Sequence, residues 1–264
     1  MRGLRTRRFR GALAVTAALA AVAGCAGPGQ GEDTLTVLAA ASLTEPFTAL
    51  AEEFENRHQG VDVVTGFDSS ATLAAQVAAG APADVVATAD PRTMQTMVDA
   101  AVLAEPPTVF ARNHLALVVP PDNPGGVAGL ADLQDADFVV CAPVVPCGAL
   151  AATLLDDAGV TARPRSLEVD VKAVLTKVLL DEVDAGLVYA SDVEAAGDRV
   201  REVPLPGPSR LSTDYPVAVT SDSERPALAE AFVRLVLSPE GQQILDDAGF
   251  AASVTGRRGD GQQP

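Results

Sequence analysis

The sequence has no tryptophan, two tyrosines, two histidines and three cysteines. A Ser-His-Asp triad or a multi-histidine metal centre would have to use His58 or His114. His58 stands at the polar end of a helical stretch and His114 at the start of an apolar run, so both read as surface or edge residues. Also missing are a Gly-x-Ser-x-Gly elbow, a His-Glu-x-x-His pair, a phosphate-loop Gly-x-x-x-x-Gly-Lys and a Cys-x-x-Cys. The chain therefore reads as a protein that is not an enzyme. Basic residues are few: 19 Lys and Arg against 35 Asp and Glu give a formal charge of -16. That balance excludes the basic footprint of a nucleic-acid binder and describes a solvated, self-repelling surface. What is plentiful is apolar: 48% hydrophobic residues exclude a disordered chain. A length of 264 residues allows one large domain or two lobes.

The apolar stretch Gly11 to Gly24 has 14 residues, whereas a spanning helix needs about 20. It follows Arg2, Arg5, Arg7, Arg8 and Arg10, and the two together have the layout of a signal peptide over 1–24. Val22-Ala23-Gly24-Cys25 resembles the lipobox of bacterial lipoproteins, which would make Cys25 the lipid-bearing mature N-terminus; the alternative is an incidental thiol after an ordinary cleavage site. The protein is accordingly expected to be exported and held at the outer face of the cell membrane, with 25–33 as a flexible linker. Arg7-Arg8 is followed at once by Phe9, where a twin-arginine signal has an intervening residue, so the export route stays open. Loss of the leader removes five arginines and no acid, leaving a formal charge of -21. The tail 251–264 is expected to be frayed.

From Thr34 the pattern alternates. Strand-like runs at Thr34 to Ala40, Val61 to Gly66 and Ala83 to Thr88 are followed by helical stretches at Ser42 to Arg57, Ser70 to Ala79 and Pro91 to Ala100. Such alternation predicts a parallel α/β arrangement. After a strand at His114 to Val119, Pro120-Pro121-Asp122-Asn123-Pro124-Gly125-Gly126 interrupts both helix and ladder and reads as a hinge or boundary. Alternation resumes with strands at Asp137 to Ala142, Ser166 to Val169 and Ala185 to Tyr189 and helices at Gly148 to Ala158 and Val171 to Asp181. A strand at Tyr215 to Thr220 and helices at Arg225 to Leu237 and Pro239 to Ala248 then give the chain material to cross back. The expected lobes are 34–119 with 214–250, and 120–213, and two crossovers between two lobes imply a cleft.

Helix N-termini beside strand ends favour anions. Four such places stand out: Ala41-Ser42-Leu43-Thr44-Glu45, which has the Ser-x-x-Glu form of a capping box; Asp68-Ser69-Ser70-Ala71; Pro146-Cys147-Gly148; and Asp170-Val171. A plain capping role for Ser42 and Ser70 is the competing reading.

The strings Val37-Leu-Ala-Ala-Ala-Ser-Leu-Thr44, Gly80-Ala-Pro-Ala-Asp84 and Leu187-Val-Tyr-Ala-Ser-Asp192, in this order, resemble the molybdate-binding proteins of bacterial ABC importers over 34–250. The resemblance implies a two-lobed periplasmic-binding-protein-like fold of type II, each lobe a mainly parallel sheet flanked by helices, closing on a tetrahedral oxyanion. It places molybdate, and with it tungstate, on the hydroxyls of Ser42, Ser70 and Tyr189 and on the backbone N–H groups of Cys147 and Val171. Position 147 is often a small residue such as Ala in the family, and a backbone donor tolerates the change. No cofactor is implied, the molybdenum would be present only as the bound oxyanion, and the partners would be a membrane permease and, through Cys25, the membrane; a monomer is expected. Two other readings remain: a binder of sulfate or phosphate, and an exported hydrolase with Ser42 or Ser70 as nucleophile, for which no base is evident. In an oxidising compartment Cys141 and Cys147 are expected to be bridged, with two free thiols or a soft-metal pair as alternatives.

Overall fold

The computed structural model describes residues 33–205 and 211–252. Cys25, the leader and nearly all of the tail lie outside them. Three β-α units come first: β1 (Asp33–Ala40) with α1 (Thr44–Arg57), β2 (Val61–Asp68) with α2 (Ser70–Ala78), and β3 (Val85–Ala87) with α3 (Pro91–Asp99). β1 lies between β2 and β3 and is parallel to both. α1 turns Phe47, Leu50, Ala51 and Phe54 inward, a spacing that puts all four on one helical face. Phe54 and Phe47 meet Phe232 at ring-centroid distances of 5.4 and 6.1 Å, and Phe47 meets Phe110 at 5.7 Å. Emptying the position of the fully buried Phe47 would cost about 3–5 kcal/mol.

Next comes a long strand, β4 (Thr108–Val119), and then β5 (Phe138–Cys141), α4 (Pro146–Asp157), β6 (Ser166–Glu168), α5 (Val171–Leu179), β7 (Ala185–Tyr189), α6 (Ala190–Ala196) and β8 (Arg201–Val203). β9 (Ser212–Val219), α7 (Pro226–Leu237), α8 (Pro239–Asp247) and β10 (Ala251–Ala252) complete the described chain. All ten strands form one sheet in the order β2-β1-β3-β9-β4-β7-β5-β6, with β8 and β10 also paired to β4. The sheet changes partners along β4. Thr108–His114 pairs with β9, and Leu115–Val118 pairs with β7. The returning strand β9 sits between β3 and β4, so the late chain is built into the early part of the sheet.

The expected alternation is present, in a mixed sheet whose β3–β9, β9–β4 and β4–β7 pairs are antiparallel, and with three differences in the elements. β4 starts at Thr108 rather than at His114, because Val109 to Asn113 pairs with β9, a partner about a hundred residues away that local periodicity cannot show. α6, β8 and β10 were not anticipated: at 7, 3 and 2 residues they are shorter than the window in which a period can be read. The helix expected from Ser42 begins instead as a 3-10 turn, Ala41–Leu43, and becomes α-helical at Thr44.

Candidate anion site

Every element that the sequence singled out as a helix start opens onto one pocket. Its lining comprises Ala40, Ala41 and Ser42 after β1, Ser69 and Ser70 at α2, Ala89 before α3, Val145, Pro146 and Cys147 at α4, Asp170 and Val171 at α5, and Tyr189 at the end of β7. The five residues Ser42, Ser70, Cys147, Val171 and Tyr189 are thus brought together, two from the β1 side of the sheet and three from the β5–β7 side. The water-accessible space is about 20 Å³, about what a single water molecule needs. A larger hollow of about 380 Å³ is lined by Thr34, Thr36, Asp84 and Arg225 and contains none of these helix starts. Asp84 there accepts hydrogen bonds from the Thr36 N–H and the Ser223 hydroxyl, which gives the Gly80-to-Asp84 string a structural part in joining β1 to the segment before α7.

Ser42 is a correction. The capping-box geometry is absent: no side chain caps α1 or the turn before it, and the Glu45 carboxylate accepts from Lys172 Nζ instead, at 2.8 Å to both oxygens. The Ser42 hydroxyl lies 2.9 Å from Tyr215 Oη. Burial pushes the Tyr215 phenol far above its usual pKa, so it keeps its proton. Either hydroxyl can donate in this pair; where Tyr215 donates, the serine O–H is left to point into the pocket.

Ser70 is not a cap either. Ser69 is the N-cap of α2, its Oγ accepting from the Thr72 N–H, while Ser70 Oγ accepts a 2.9 Å bond from the Ala89 N–H. One acceptor position is thereby filled and the hydroxyl hydrogen stays available as a donor.

The remaining donors are set by helix starts. α4 begins Pro146-Cys147-Gly148 with no side-chain cap. Cys147 is bridged to Cys141, Cα to Cα 5.7 Å, which ties the helix start to the end of β5. Gly148 is required there: a Cβ at this position would lie 1.9 Å from the Ala142 carbonyl oxygen. At α5 the Asp170 carboxylate accepts from the Ala173 N–H, while Val171, whose amide is one of the first-turn donors without a helical partner, lines the pocket.

Tyr189 differs from the rest. It is 1% exposed, and its hydroxyl makes no hydrogen bond of ordinary length and angle among the described residues, the Tyr215 phenol being only a weak neighbour. Burial, and behind it the neighbouring Tyr215, Asp90 and Asp192, raise its pKa well above the phenol range, so it too is held as O–H. An unpaired buried hydroxyl costs about 1–3 kcal/mol, a cost that an acceptor in the pocket would remove. The Tyr189 N–H donates to Asp192 Oδ2 at 3.0 Å. Asp192 is fully buried, and its other oxygen is 3.2 Å from Lys172 Nζ. Burial lifts its pKa to about 6, a rise that Lys172 partly offsets.

The lining contains no Lys or Arg: its donors are neutral hydroxyls and amides at the positive ends of helix dipoles. Residues 35–251 match the family of bacterial extracellular solute-binding proteins. The chain belongs to that family.

Among relatives of this solute-binding protein, the molybdate-binding protein ModA of Mycobacterium tuberculosis is 40% identical over 228 residues, 86% of this chain and 87% of the relative. By structure, the solute-binding protein is similar to the periplasmic molybdate-binding protein of Azotobacter vinelandii, at TM-score 0.74 and 20% identity over 83% of this chain and 99% of the other. It is as similar to the sulfate-binding protein SubI of Mycobacterium tuberculosis, at TM-score 0.75 and 20% identity over 85% and 88%. These two likenesses establish the periplasmic-binding-protein fold.

Two residues bearing on the site were not found from sequence. Tyr215 and Lys172 act through partners 173 and 127 positions away. An acid three residues after the apolar run Ala185 to Tyr189 was the available hint that Asp192 is buried and would need a cation nearby. His58 stacks on Phe54 at 4.0 Å, and His114 lies within β4; neither lines the pocket.

Proposed function

We propose that this protein is the extracytoplasmic solute-binding component of an ABC importer that captures molybdate, and tungstate with it, and passes it to a membrane permease. The observation that carries the reading is the buried Tyr189 hydroxyl without an ordinary hydrogen bond, placed among helix N-termini in a pocket without a cation. Ser42, Ser70 and Tyr189 would donate through hydroxyls, and Cys147 and Val171 through backbone N–H. A fully deprotonated oxyanion only accepts hydrogen bonds, so an all-donor site fits it and leaves the O–H of a protonated phosphate unsatisfied. Five charge-assisted bonds at roughly 1.5–3 kcal/mol each supply about 7.5–15 kcal/mol, before the entropic cost of capture. That is enough for binding in the micromolar range or tighter. The 40% identity to a protein named for molybdate binding supports this choice of anion.

In this reading the protein works as a monomer held to the membrane through lipid on Cys25. Two lobes, 34–119 with 214–250 and 120–213, close on the anion and reopen at the permease. No bond is made or broken, and no cofactor takes part. The test is a titration of the purified protein with molybdate, tungstate, sulfate and phosphate at equal ionic strength. Saturable molybdate binding is expected, accompanied by a rise in melting temperature. A preference for sulfate would reassign the ligand, and binding of none of the four would overturn the reading.

A further inference from the structure

One cation beside this pocket is Lys172, the residue after Val171. Its side chain is 25% exposed, and its ammonium group is shared by two acids from different elements. Glu45, on the first turn of α1 just past Ser42, receives it through both carboxylate oxygens at 2.8 Å. Asp192, on the first turn of α6 and wholly buried, lies 3.2 Å from it and accepts the Tyr189 N–H through its other oxygen. Three donor-bearing segments therefore meet at one charge: the Ser42 turn, the Val171 helix start and the Tyr189 strand end. Two of them lie on opposite sides of the pocket.

We propose, on the reading of the pocket given above, that Lys172 is a positioning residue that clasps the two sides of the anion site, so that its pairing with Glu45 and Asp192 governs how long the bound anion is held. Lys172 does not line the pocket and touches no ligand. Its effect is exerted through the segments it ties. Glu45 can separate from Lys172 when the two sides part, because its side chain is 48% exposed and water can replace the cation. Asp192 is buried from water and its Oδ1, without a hydrogen-bond partner, has Lys172 as its ionic contact, which would hold Lys172 on the Val171 and Tyr189 side. The bond that breaks on opening is then the one between Lys172 and Glu45, and a clasp broken on opening is read in the dissociation rate more than in the association rate.

The experiment measures release of radiolabelled molybdate from the full mature protein after a chase of unlabelled molybdate. Lys172→Met should speed release about tenfold and Glu45→Gln about threefold, with the double variant no faster than Lys172→Met alone; Lys172→Arg should stay within about twofold of the natural protein. Raising salt to about 0.5 M should speed release from the natural protein but not from Lys172→Met, a response that a merely structural lysine would not give. Should Lys172→Met fail to fold with Asp192 left unpaired, Glu45→Gln and the salt response carry the test. If the natural protein retains molybdate while Glu45→Gln releases it within twofold of the natural rate and salt has no effect, the clasp is wrong and the site stands. If the natural protein retains no molybdate, the reading of the site fails and the clasp falls with it.

Discussion

Ser42 Oγ and Tyr215 Oη share a 2.9 Å hydrogen bond between residues 173 positions apart, joining the turn after β1 to a strand that returns from the far end of the chain. Tyr215 does not line the pocket, yet a phenol O–H donated to Ser42 Oγ would turn the Ser42 hydrogen toward it. Tyr215→Phe should weaken molybdate binding by about 0.5–1.5 kcal/mol, the worth of one such bond, although no ligand contact is removed. Calorimetric titration of the natural and Phe proteins checks this, and unchanged affinity would mean that Ser42 orients itself.

Ser42→Ala and Ser70→Ala should each weaken molybdate binding by about 1.5–3 kcal/mol, because each removes a donor to a charged ligand. Their stability effects should differ from those of lost helix caps. Ser70→Ala strands the buried Ala89 N–H and should lower unfolding free energy by about 1–3 kcal/mol. Denaturant melts of the ligand-free proteins, run beside the titrations, separate the two contributions.

Asp192 makes a signed pH prediction. Its folded-state pKa of about 6 lies above the ordinary 3.8, so between these values the folded protein binds the proton that the unfolded chain has released. Stability contributed by this group is therefore greatest below about pH 4 and is lost as pH rises through 6, by about 2–3 kcal/mol in all. Asp192→Asn should flatten that part of the stability profile, and urea melts from pH 4 to 7 would reveal it. A profile with the same slope in both proteins would show that Asp192 ionises normally.

Reducing the Cys141–Cys147 bridge should lower stability by about 2 kcal/mol and weaken molybdate binding, since the bridge anchors the start of α4. Mass spectrometry of the protein before and after reduction establishes the bond, and titration under both conditions measures its effect on the site.

Molybdate and tungstate should bind alike, and sulfate at least about a hundredfold more weakly. All three are tetrahedral dianions with the same acceptors, but sulfur holds its oxygens closer. Donors fixed on separate helix starts cannot all follow the smaller ion, and a loss of roughly 0.5–1 kcal/mol at each of five bonds totals about 2.5–5 kcal/mol, against about 2.8 kcal/mol for a hundredfold. Sulfate binding within tenfold of molybdate in parallel titrations would show a yielding pocket.

The legible parts of this protein were those written in short stretches of chain. Alternating runs gave the α/β class, and Asp170-Val171 and Pro146-Cys147 marked true helix starts. The cap reading of Ser42 fails although Ser-x-x-Glu is the local pattern of a cap, because its actual partner, Tyr215, arrives through a strand that lies between β3 and β4. Lys172 was not singled out, for the same reason: Asp192 becomes its neighbour only in the folded chain, and Glu45 only where the two sides of the pocket meet. Where a residue's partner is set by topology, periodicity has nothing to register.

β4 has a mechanical and thermodynamic consequence. Its residues Thr108–His114 pair with β9 and Leu115–Val118 pair with β7, so one uninterrupted strand is a member of both ladders. Melting the sheet on either side strips one edge from the strand on which the other side depends. The two sides should therefore lose structure together, and a calorimeter should record a single heat-absorption peak rather than two. A shared strand thus makes the two ladders one cooperative body.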